Sequence, residues 1–63
     1  MRKYAFFPDH ETAVDFRKRY GGRVYSRHKN GHTFVQATLR LEDPAEIRVI
    51  MGFCKYFVAY KED

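Results

Sequence analysis

The chain has 63 residues, with twelve Lys and Arg against eight Asp and Glu; 44% of its side chains are hydrophobic and 17% aromatic. That length fits one small α+β domain over residues 1–63 and excludes a large core, since a chain of this size buries only about 60% of its unfolded surface. The composition excludes a disordered tract, and the net charge of +4 makes an anionic partner chemically reasonable without identifying one.

Cys54 is the only cysteine, which excludes an internal disulfide and a multi-cysteine zinc site. The opening MRKYAFFPDH lacks the apolar stretch of a signal peptide, and no apolar run reaches the length of a membrane span. A cytoplasmic protein without membrane contact is the expectation.

Residues 3–7 (KYAFF) favour a strand that Pro8 stops, because proline has no N–H for a continuing ladder. Asp9 is placed to cap a helix over 10–20, with Glu11 in its first turn and Arg17, Lys18 and Arg19 in its last. Ala13, Phe16 and Tyr20 recur at helical spacing with Val14 beside them, and Gly21-Gly22 ends the element.

Residues 23–29 and 32–41 read as a hairpin around Asn30-Gly31, a pair suited to a type I′ turn. In that register Lys29 faces His32, Arg27 faces Phe34 and Tyr25 faces Gln36. Val24, Ser26, His28, Thr33, Val35, Ala37 and Leu39 then share the face expected to meet the helices. Tyr25, Arg27, Lys29, His32, Phe34, Gln36 and Thr38 share the other.

Asp43-Pro44-Ala45-Glu46 carries a cap, a first-turn proline and a glutamate three residues after the cap, so a second helix is expected with Ile47, Ile50 and Met51 inward and Gly52 as its stop. Residues 53–61 read as a strand with Cys54, Tyr56, Val58 and Tyr60 toward the core and Lys55, Phe57, Ala59 and Lys61 away. A continued helix, the alternative, strands Val49, Phe53, Tyr56 and Tyr60 on its outer side.

The expected fold is therefore a ferredoxin-like β-α-β-β-α-β chain, with a four-stranded antiparallel sheet and two helices on one face. The alternative is β-α-β-β-α with a long C-terminal helix. The sheet face away from the helices would carry Tyr25, Arg27, Lys29, His32, Phe34, Gln36, Lys55 and Phe57, with Tyr4 and Phe6, or Ala5 and Phe7 in their place, added by the first strand. Rings interleaved with cations on such a sheet resemble the architecture of RNA-recognition domains, whose first and third strands carry aromatics. Around Phe34, the string GHTFVQATL departs from that family's Lys/Arg-Gly-Phe-type signature.

Catalysis and metal binding find little support. His28 and His32 flank the expected turn and point to opposite faces, and Val14 stands where a zinc-peptidase helix has its second histidine after His10-Glu11. Ser26 lacks a nucleophile elbow, and Cys54 lies in a run expected to be buried. Asp9 resembles in placement an aspartate near the end of the first strand in a family of ferredoxin-like endonucleases of prokaryotic defence systems, but helix capping accounts for it. No glycine motif precedes a helix in the manner of a phosphate loop. No catalytic residue, metal or cofactor is expected.

The leading expectation is a non-catalytic protein-interaction module that self-associates, or binds and modulates another protein, through the open sheet. Phe34, Tyr25 and Phe57 would anchor that contact and Arg27 would reinforce it. Binding of RNA or single-stranded DNA to the same aromatic and basic surface is the alternative. Small basic proteins with such roles occur among phage and plasmid accessory proteins.

Overall fold

A computed structural model describes residues 2–61. The elements in chain order are β1 (Arg2–Phe7), α1 (His10–Tyr20), β2 (Arg23–Ser26), α2 (Gly31–Thr38), α3 (Pro44–Phe53) and β3 (Tyr56–Lys61). The three strands form one sheet in the order β1-β3-β2, with β3 antiparallel to both neighbours. Among the described residues no helix is long and apolar enough to cross a membrane.

The two capped helix starts form as their residues dictate. The Asp9 carboxylate accepts from the Thr12 N–H at 2.9 Å, and the chain leaves α1 through Gly21 and Gly22, both at positive φ. Asp43 accepts from the Ala45 N–H at 2.9 Å, with Pro44 in the first turn of α3. Gly52 does not stop that helix: it continues to Phe53, and the backbone becomes extended at Cys54.

The four-stranded ferredoxin-like sheet does not form, and neither does the long C-terminal helix of the alternative. Instead there are three strands and three helices, because residues 31–38 are helical and supply no strand. The hairpin is replaced by a turn that begins at Ser26, whose hydroxyl accepts from the N–H groups of His28 at 3.1 Å and Lys29 at 3.4 Å. The Asn30 N–H donates to the Ser26 carbonyl at 2.8 Å, and the Asn30 carbonyl accepts from Phe34 N–H at 2.9 Å, opening α2. Asn30 has φ of −121° and Gly31 is not at positive φ, so no type I′ turn exists here. The physical reason is the helical spacing of Phe34, Ala37 and Leu41 with Thr38 between them: Phe34, Ala37 and Thr38 are buried, the Thr38 hydroxyl donating to the Val35 carbonyl, and Leu41 packs at the edge of the core.

Strand pairing sets two faces. Phe6 and Tyr25 are both register partners of Phe57, so they share its face with Tyr4, Ala59, Arg2, Arg23 and Lys61. Phe34 from α2 and Ile50 from α3 close over that face, forming a core with Phe57 that Tyr4, Phe6, Tyr25, Leu41, Met51 and Cys54 complete. On the other face α1 packs Phe16 against Phe7 at 5.1 Å and Tyr60 at 5.0 Å between ring centroids, over buried Ala13 and Val58. Both faces of the sheet are thus covered, and the open face expected from the sequence is the floor of the second core.

Candidate interaction surfaces

The structure disperses the expected surface. Phe34 and Phe57 are fully buried. Tyr25 is half-buried and stacked on Phe57, with centroids 5.3 Å apart and planes at 21°. Phe6 meets the Phe34 ring edge-on at 5.4 Å, and Tyr4 lies 6.1 Å from Phe57 beneath the Arg40 guanidinium. Arg27 is half-buried: its guanidinium donates to the Met51 carbonyl at 2.6 Å and lies 4.9 Å from the centre of the Phe34 ring. The expected proximity of Arg27 and Phe34 is real, but it fastens α3 and α2 to the sheet. Lys29 in the turn, His32 and Gln36 on α2, and Lys55 before β3 are exposed and separate from that cluster.

The titratable groups read as structural. Two donations from Thr12, by its N–H and its hydroxyl at 2.7 Å, hold the Asp9 carboxyl below the usual carboxylate range, so it is a poor proton acceptor near neutral pH. Burial pushes the Cys54 thiol up, with the nearby Arg27 charge opposing; a thiol so shifted is a weak nucleophile. His10 packs its ring on Tyr56 at 5.3 Å.

Two surfaces emerge that the sequence reading did not single out. The first is the outer flanks of the consecutive helices α2 and α3, where Val35, Leu39, Val49 and Phe53 are 43%, 67%, 57% and 71% exposed. Each helix carries its pair four residues apart, the spacing that puts two side chains on one flank.

The second surface is one end of the sheet. Because β3 runs against both neighbours, the first residues of β1 and β2 meet the last residues of β3, 59–61. Arg2 is the register partner of Lys61, and Arg23 of Ala59. The helix α1 returns to this end, bringing Arg17, Lys18 and Arg19 in its last turn. Gly22 makes the fit close: a Cβ there would meet the Ala59 carbonyl and Tyr60 Cβ. The result is a shallow concavity of about 410 Å³ bounded by Arg2, Arg23, Lys61, Tyr20, Tyr25 and Tyr60. The cations were visible as residues; their convergence depends on a strand order that no local pattern encodes.

Comparison with protein-family models, curated proteins and solved structures finds no match for this chain.

Proposed function

We propose that this chain is a non-catalytic interaction module that pairs with a second copy of itself through the outer sides of α2 and α3. The observation that carries the reading is the exposure of Val35, Leu39, Val49 and Phe53 on two consecutive helices of so small a protein. Scattered single hydrophobics on a surface are ordinary, whereas two pairs at helical spacing on consecutive helices supply the apolar side chains that an interface needs.

A second copy also adds the buried apolar area that a 63-residue core lacks. This surface replaces the sheet face as the docking site, because the anchors expected there are committed to the core. Sedimentation equilibrium at micromolar concentration tests the reading. A dimer is expected, and a Leu39→Ser/Phe53→Ser variant should be monomeric while keeping its far-UV circular dichroism. A wild-type chain that stays monomeric at hundreds of micromolar would contradict self-pairing and leave a different protein as the occupant.

A further inference from the structure

We propose that the basic end of the sheet is a binding site for single-stranded nucleic acid, with Arg2, Arg23 and Lys61 holding phosphates and Tyr20 stacking on a base. This site is separate from the α2–α3 surface and does not depend on pairing.

The first observation is an arrangement that works against the free protein. Arg2 and Lys61 are direct cross-strand partners, and Arg23, paired with Ala59 on the far side of β3, lies diagonal to Lys61 on the same face. Like charges placed opposite one another in a sheet repel and lower stability. Among the described residues no carboxylate lines the concavity between them. An anion seated there relieves the repulsion, and successive phosphates along one strand can engage successive cations.

The second observation is a ring that lines the same concavity from the α1 side. Tyr20 is held from one side by Phe16, at 4.6 Å between centroids, and lies 6.5 Å from Tyr60, yet 60% of its surface stays accessible. A ring that is fixed but exposed in a concavity it shares with guanidinium and ammonium groups suits an unpaired base joined to its phosphates. A duplex hides its base faces in its own stack, so it could use the cations but not the ring. An acidic peptide would use the cations alone. The ring therefore favours a single strand.

Three phosphate contacts on a single strand predict that log K falls against log salt with a slope of about −2. The test is fluorescence anisotropy of a labelled oligothymidylate titrated with the full chain at several salt concentrations. Arg23→Ala and Lys61→Ala should each weaken binding and reduce the slope by about 0.7. Tyr20→Leu, which keeps apolar cover on Phe16, should weaken binding about 5- to 150-fold and leave the slope unchanged. Tyr20→Phe should retain it.

Arg48→Ala on the exposed side of α3 removes an equal charge and should change binding little. Glu62 and Asp63 follow Lys61 in the sequence, so Glu62→Gln/Asp63→Asn should tighten binding. The proposal is overturned if Arg48→Ala weakens binding as much as Arg23→Ala, which would indicate diffuse attraction. It is equally overturned if Tyr20→Leu binds like wild type, if a duplex of the same length binds as tightly, or if polyglutamate competes as well as the oligonucleotide. The monomeric Leu39→Ser/Phe53→Ser variant should bind as wild type does per chain; loss of binding there would make the site a property of the pair and refute its independence.

Discussion

Truncation of Phe34 separates a covered sheet from an open one by the size of its effect. Phe34 is fully buried, meets Phe6 and Phe57 edge-on at 5.4 and 5.7 Å, and carries the Arg27 guanidinium over its ring. A buried Phe→Ala change costs about 3–5 kcal/mol, and edge-to-face pairs contribute about 0.5–1.5 kcal/mol each beyond area. Phe34→Ala should therefore fall in the upper part of that range. The whole chain has about 3–9 kcal/mol to lose at typical stability per residue, so this variant is expected to sit at the edge of unfolding. Urea denaturation followed by circular dichroism is the assay, with Phe34→Leu as a milder companion expected to cost less than Phe34→Ala, since it keeps most of the apolar volume and loses the ring contacts. A loss below about 1 kcal/mol for Phe34→Ala would refute the buried position of α2 and restore an exposed ring.

Other substitutions distinguish the same features by sign. Gly31 begins α2 without positive φ, and an added Cβ there meets nothing within 4 Å; Gly31→Ala should stabilise by up to about 1 kcal/mol, where a type I′ turn would make it destabilising. Gly22→Ala should cost at least about 1–3 kcal/mol from its positive φ alone, because φ is +95° and the new methyl would meet the Ala59 carbonyl; an unchanged denaturation midpoint would show that the α1–β2 turn is not seated on β3. Asp9 has a folded pKa below its unfolded value, so its cap stabilises above the unfolded pKa and the contribution is lost as pH falls through the folded one. Asp9→Ala should accordingly lower Tm at pH 7, and the difference from wild type should shrink as pH falls below about 4; a constant difference would contradict the capping role.

Local chemistry made half of this fold legible. Asp9 and Asp43 announce their helices because a short carboxylate before a helical stripe satisfies otherwise unpaired N–H groups. Residues 53–61 end in a strand, as their Tyr, Phe and Val content suggests, although α3 first extends through Phe53. Strand alternation put Tyr25 and Phe57 on a common face, while the first strand's choice between Tyr4 with Phe6 and Ala5 with Phe7 is decided by its pairing with β3. The failure lies in HTFVQATL, where apolar residues satisfy a period of two while Phe34, Ala37, Thr38 and Leu41 satisfy the helical one. Asn30-Gly31 deepened the ambiguity, because asparagine serves a hairpin turn and a helix start equally well. Losing that helix to a strand removed the cover from the sheet, so the rings appeared exposed and became the expected site. The basic end was hidden for another reason: it exists only once β3 lies between β1 and β2.

An NMR structure of residues 27–41 with contacts to the sheet tests the central claim, that α2 covers the aromatic face, most directly. The account predicts sequential amide–amide NOEs through residues 31–38, together with NOEs from the Phe34 ring to those of Phe6 and Phe57. An extended backbone over those residues, with cross-strand NOEs from Lys29 to His32 and a solvent-exposed Phe34 ring, would contradict it.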